Sequence, residues 1–263
     1  MFHPQKTVAA AARSARRELK TLSRPAGEFD ASRYFRGERN FGFLNTGTAP
    51  MRTLARAICV AQREHWTVGD AIAFADALMP DKYLEVKNVG LEVLARYRRD
   101  FPPSLLARCK TWLARDYSAN WATTDTMCGI VIGPLLLKHP QLVPQLRAWA
   151  GHKNMWVRRA SIVGLLKPMR VGPSTRAGSR ARSGQAVLDQ VYATARRLHP
   201  DPNDLIHKAV GWALREAGKI DPARLERYLR ANVRVIPRTT FRYAIERFSE
   251  TRRKQLLAFS PEP

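Results

Sequence analysis

The stretch that decides the fold runs Ser118-Ala119-Asn120-Trp121-Ala122-Thr123-Thr124-Asp125-Thr126-Met127-Cys128-Gly129-Ile130-Val131-Ile132-Gly133-Pro134-Leu135-Leu136-Leu137-Lys138-His139-Pro140. Wound at helical period, Trp121, Asp125, Cys128, Ile132, Leu135 and Leu136 fall on one face. That face is apolar except for Asp125, and a carboxylate there needs a reason. Two readings supply one. Asp125 caps a helix that begins at Thr126, its oxygens accepting backbone N–H groups that would otherwise lack partners. Alternatively the face opens into a cleft, with Trp121 one turn earlier as an aromatic wall beside a negative charge.

Outward from this stretch the same theme repeats. From Ala49 onward, apolar stripes at helical period are closed by Pro, Gly, Asn or Asp, which predicts helices over 49–64, 68–78, 83–99, 105–116, 122–138, 141–150, 155–168, 186–198, 203–217, 222–233 and 238–258. Several starts have a mechanism: Thr67 before Val68, Pro103-Ser104 before Leu105, and Asp221-Pro222 with proline in the first helical position. Strand alternation is essentially missing. Short links between helices that pair as antiparallel hairpins predict an all-α fold, a stacked solenoid of HEAT-like helical hairpins. A closed helical bundle gives the same string.

At 263 residues the chain can bury one sizeable core, and it reads as a single domain spanning 1–263. Lys and Arg number 45 against 22 Asp and Glu, a net charge of +23. Such an imbalance points to a polyanionic partner. Nucleic acid is favoured over a membrane, because no apolar run approaches transmembrane length and the basic residues are spread along the whole chain. Cys59, Cys109 and Cys128 are odd in number and widely spaced, so the expected setting is a reducing, cytoplasmic one without disulfides. The six histidines have no metal-site spacing, and neither a metal nor another cofactor is expected.

Two segments are set apart by composition. Residues 1–25 are Ala- and Arg-rich with Glu18 as their one acid, a composition that suits a transit peptide or a basic helix lying on DNA phosphates. Residues 171–185 carry three arginines, three glycines and no acid, the composition of a flexible basic loop, either a solvated insertion or a strap adding phosphate contacts.

In the helix over 203–217 the apolar seam runs through Ile206, Ala209, Val210, Ala213 and Ala217. Trp212 projects away from that seam between Lys208 and Arg215, one turn before and one turn after it. Such a tryptophan either packs on a neighbouring repeat or stacks in a nucleic-acid surface. In the helix over 155–168, Arg159 lies among apolar Trp156 and Val163 with Arg158 turned differently. A guanidinium in that setting needs an anionic partner, either an internal carboxylate, Asp125 among them, or a phosphate.

Asn120-Trp121-Ala122-Thr123-Thr124-Asp125, Leu136-Leu137-Lys138-His139-Pro140, Asn154-Met155-Trp156-Val157-Arg158-Arg159-Ala160 and Lys208-Ala209-Val210-Gly211-Trp212-Ala213-Leu214-Arg215-Glu216 together resemble the AlkD family of DNA alkylation repair glycosylases. Order and spacing match over about 105–219, and more loosely out to 258 and back to 31. The resemblance implies a right-handed superhelical solenoid that holds duplex DNA in a basic groove. It also implies hydrolysis of the N-glycosidic bond of cationic alkylpurines such as 7-methylguanine and 3-methyladenine. The family's catalytic aspartate falls on Asp125, its groove tryptophans on Trp121 and Trp212, and its backbone-contacting arginine on Arg159. Arg158, Lys208 and Arg215 are expected to add DNA contacts, and Tyr34 is matched to the family's N-terminal tyrosine.

The chain departs from the family pattern in three places. Asn120 stands where some relatives have an aromatic residue, 36–48 needs an insertion to align, and the basic loop is longer than the family norm. Rival readings are a non-catalytic HEAT-repeat scaffold or nucleic-acid-binding module, and an RNA-binding protein. A scaffold has no need of the aspartate with both tryptophans, and no RRM, KH or zinc-knuckle signature supports the second. With no exposed heptad seam, a monomer is expected.

Overall fold

The computed structural model describes residues 7–25, 35, 41–171 and 179–258. Contacts divide the chain into two compact units, Met1–Lys138 and His139–Pro263. The fold is all-α, as the periodicity predicts; among the described residues the only extended pairing is an isolated bridge between Gly42 and Tyr83. No described helix is long and apolar enough to cross a membrane.

The first unit contains α1 (Val8–Thr21), α2 (Thr48–Ala61), α3 (Val68–Leu78), α4 (Leu84–Arg96), α5 (Leu105–Ala114), α6 (Trp121–Met127), a π-helical turn (Cys128–Ile132) and α7 (Gly133–Lys138). Local chemistry sets the starts. Thr67 accepts from the Asp70 amide while Asp70 accepts from the Thr67 amide at 2.8 Å, a reciprocal capping box on α3. Ser104 makes no such bond and is already helical, so α5 begins without the expected side-chain cap. The N-terminal basic segment does form a helix, α1, but one face of it is core. Ala11, Ala12, Ala15 and Leu19 are fully buried with Leu54, Ile58, Phe74 and Leu78. Arg16 fastens α1 through Asp81 at 2.8 Å, while Arg13, Arg17 and Lys20 stay exposed.

The helix expected over 122–138 is interrupted. At its centre the Gly133 amide donates to the Cys128 carbonyl, five residues back instead of four. Pro134 accounts for it: proline has no N–H to donate, and its ring clashes with the carbonyl four residues earlier unless the turn widens. Cys128 and Ile132, at the two ends of the turn, and Leu135 and Leu136 past it are fully buried. Trp121 and Asp125 at the other end of the stripe are only half-buried.

The second unit contains a 3-10 segment (Pro140–Gln145), α8 (Leu146–Trp149), α9 (Met155–Val163), α10 (Leu166–Arg170), α11 (Ser179–Leu198), α12 (Asp204–Gly218), α13 (Pro222–Ala231), α14 (Arg238–Ala244) and α15 (Glu250–Leu257). α12 is its hub, packing on α9, α11, α13 and α14. The seam Ile206, Ala209, Val210, Ala213 and Ala217 is buried as the period requires. Gly211 lets α14 approach: a Cβ there would meet the Cβ of Tyr243 at 2.4 Å and the Thr240 carbonyl at 2.8 Å. Asp221 caps α13 by accepting from the Arg224 amide at 2.8 Å, with Pro222 in the first turn.

Boundaries shift where punctuation was underweighted. The helix expected over 141–150 is a 3-10 segment containing Pro144, followed by one short turn. The helix expected over 238–258 breaks after Ala244 and restarts at Glu250, where Ser249 caps it by accepting from the Arg252 amide at 3.3 Å. The basic run 171–185, expected as a flexible loop, is partly helical. α11 starts at Ser179, ahead of the predicted 186, while 172–178 lie outside the described residues.

Candidate active site

The approach to α6 is tightly held. α5 ends in a Schellman turn: Asp116 takes a left-handed φ of 57°, its amide donates to the Leu113 carbonyl, and the Tyr117 amide reaches back to the Trp112 carbonyl at 2.9 Å. Ala119 is also left-handed, at φ 55°, a conformation that a non-glycine residue keeps only when its surroundings impose it. The buried Lys87 ammonium imposes part of that, donating to the Tyr117 carbonyl at 2.5 Å and the Met79 carbonyl at 3.2 Å. Burial pulls the Lys87 pKa down to about 8, against the opposing charge of Asp81.

Asn120 completes the turn. It is fully buried, its amide group donates to the Ser118 carbonyl at 2.8 Å, and its oxygen accepts from the Thr123 amide at 2.7 Å. The Thr124 hydroxyl in turn donates to the Asn120 carbonyl at 2.9 Å. Asn120 is therefore the cap of this helix. The capping reading of Asp125 is overturned, because Asp125 stands in the second turn with its backbone already helical. What remains is a half-buried carboxylate one turn below Trp121, on a segment fixed at both ends.

Trp121 has an aromatic partner that sequence reasoning missed. The Phe35 ring stacks on it, centroids 5.3 Å apart and planes 19° from parallel. Phe35 also meets Phe41 at 5.1 Å and Phe43 at 5.2 Å. The signal was present as three phenylalanines within nine residues, but no periodicity linked them to Trp121. Tyr34, expected to supply the N-terminal aromatic contact, lies outside the described residues.

In the second unit, the predicted cations are placed as follows. Arg159 is only 5% exposed, and its guanidinium donates to the Leu205 carbonyl in the first turn of α12. Arg158 grips Asp201 through Nε at 2.5 Å and Nη2 at 3.3 Å, and its Nη1 donates to the carbonyls of His152 and Lys153. Lys208 pairs with Asp204 at 2.7 Å on the surface of α12. That contact raises the Lys208 pKa and holds the Asp204 carboxyl below its usual range. Arg215 pairs with Glu246.

Trp212 is half-buried while the seam beside it is closed. The cation over its ring is neither Lys208 nor Arg215 but Arg170 of α10, whose guanidinium carbon is 5.8 Å from the ring centroid. Arg170 is itself held by Glu216, Nε to Oε2 at 3.0 Å. Burial opposes ionisation of Glu216, yet Lys219 and Arg170 more than offset it and keep the carboxyl below its ordinary range.

Among the described residues no group of three or more His, Cys, Asp or Glu side chains could hold a metal ion. The model of the DNA alkylation repair enzyme family matches residues 15–248. The chain belongs to that family. A comparison with curated proteins gave no significant match. Among solved structures, the fold is similar to that of a predicted DNA alkylation repair enzyme from Enterococcus faecalis. The TM-score is 0.62 at 17% identity, over 95% of this chain and 99% of that one. Family membership supports a role in DNA repair and makes DNA the expected substrate; the charge of +23 suits that polyanion.

Proposed function

We propose that this member of the DNA alkylation repair enzyme family is a DNA glycosylase that releases cationic N-alkylpurines, 7-methylguanine and 3-methyladenine, from duplex DNA. The observation that carries the proposal is the placement of Asp125, a half-buried carboxylate in the second turn of α6, one turn from Trp121 and fixed by Asn120.

An alkyl group on a purine ring nitrogen makes the base a cation and a good leaving group, so the protein need not protonate it. As the N-glycosidic bond breaks, the bonding electrons leave with the base and positive charge grows on the deoxyribose. Asp125 stabilises that charge and orients the water whose oxygen bonds to the anomeric carbon; the water proton passes to the carboxylate or to solvent. Trp121, backed by Phe35, offers a π face to the cationic base or sugar, and Trp212 offers another. Phe35, next in sequence to Tyr34, takes the N-terminal aromatic position in this proposal.

Of the predicted backbone contacts, Arg159 acts by fixing α12 and Arg158 by its grip on Asp201. Lys208 and Arg215 reach phosphate by exchanging Asp204 and Glu246 for it. The protein works as a monomer without a cofactor. Competition among methylated duplex, plain duplex and RNA tests the assignment. Release of methylpurines from the first alone, with weaker competition by RNA, is expected; preference for RNA without base release contradicts it.

A further inference from the structure

The first unit holds a second basic feature, away from the Asp125 helix in sequence. At the C-terminal ends of α2 and α4 a surface pocket of about 300 Å³ is lined by Arg56, Cys59, Val60, Arg63, Arg96 and Tyr97. Three exposed guanidiniums share it, and among the described residues none of them has a carboxylate partner. No acid of the packed helices lines the pocket, although the charge of Asp70 is felt at Tyr97. Glu92 pairs with Arg52 at 3.0 Å, Glu85 accepts from the Leu44 amide at 3.0 Å, and Asp70 closes the cap of α3. α2 contains no acid, and Glu64, next to Arg63, does not line the pocket.

The remaining groups narrow the ligand. Burial pushes the Cys59 thiol up to about 11, in spite of Arg96, so it is a neutral wall and not a nucleophile. Burial likewise pushes the Tyr97 phenol up to about 12, so it keeps its proton as a donor. Gathering three like charges costs energy that a bound anion returns, and guanidinium forks match phosphate oxygens. The pocket offers positive charge and donors, with Val60 and the Tyr97 ring beside them for the sugar carbons that flank a phosphodiester.

We propose that Arg56, Arg63 and Arg96 form a phosphate-binding site that holds the backbone of bound DNA, separate from the chemistry at Asp125. The source of the phosphate rests on the DNA-repair reading above.

The test is the salt dependence of duplex binding for wild type, R56A/R63A/R96A, the charge-conserving R56K/R63K/R96K, and R227A/R234A/R242A as a control with the same charge loss on exposed arginines of the second unit. Each phosphate contact contributes about 0.9 to the slope of log affinity against log salt. The first triple is expected to flatten the slope by about 0.9, the loss of one phosphate contact, the lysine triple to keep it near wild type, and the control to change it by less than half as much. An unchanged slope, or an equal change in the control, overturns the site. So does a wild type that binds no duplex. Stabilisation of wild type by inorganic pyrophosphate, lost in R56A/R63A/R96A while the duplex slope stays unchanged, assigns the pocket to a free phosphorylated ligand and overturns the backbone contact. Base release at saturating methylated duplex reports on the chemistry separately. It stays at the wild-type rate in R56A/R63A/R96A, and its absence in wild type overturns the glycosylase proposal without touching the slope comparison.

Discussion

The backbone amide of Thr123 donates to the side-chain oxygen of Asn120 at 2.7 Å, and that bond starts α6 one turn ahead of Asp125. Removing it leaves buried donors unpaired as well as an uncapped helix. Asn120→Ala is expected to cost about 1–3 kcal/mol of stability and to lower base release more than Asn120→Ser, whose hydroxyl can still cap the helix. Urea unfolding and release rates on the same preparations check this. Equal stability of Asn120→Ala and wild type means that the cap is not what holds the segment.

Trp121 and Trp212 are half-buried, whereas Trp112 is 2% exposed and donates through Nε1 to Asp76 at 2.8 Å. Trp121→Ala and Trp212→Ala are each expected to cost about 1–2 kcal/mol in catalysis, the scale of a desolvated cation–π contact, with thermal stability close to wild type. Trp112→Ala is expected to lose about 3–5 kcal/mol of stability instead. A collapse in melting temperature for either of the first two places that ring in packing and not in the reaction.

His199 is 3% exposed, with Nε2 2.7 Å from the Tyr228 hydroxyl. Burial, with His207 and Arg196 adding repulsion, lowers its pKa from 6.5 to about 4. A histidine with a depressed folded pKa is neutral in the fold and protonated more readily when unfolded, so its contribution is complete above pH 6.5 and is lost as pH falls toward about 4. Stability is expected to fall by up to about 1.4 kcal/mol per pH unit across that window from this group. Urea midpoints of wild type and His199→Gln measured against pH check it. The same acid limb in both variants means that another group causes the loss.

What the sequence made legible was local. The α12 seam and the Thr67 and Asp221-Pro222 starts need only period and capping chemistry, and the structure places them as read. Asp125 was misplaced as a possible cap because Ser118, Asn120, Thr123 and Thr124 offer several starts within a few residues. Only tertiary burial of Asn120, reinforced by Lys87 from α4, selects one. The widened turn before Pro134 shifts the helical wheel by an amount that a fixed period does not contain. Partners far apart in the chain were out of reach for the same reason: Arg158 with Asp201, Arg215 with Glu246, Arg170 over Trp212, and Phe35 on Trp121. Each is set by how segments distant in the chain meet, and a sequence pattern records only what each segment presents.

The most direct measurement is release of free methylpurines from methylated duplex by wild type and Asp125→Asn, with duplex binding measured on both. The account predicts release by wild type, a loss of about 10²- to 10³-fold or more in Asp125→Asn, and binding by both proteins. Undiminished release by Asp125→Asn would contradict it.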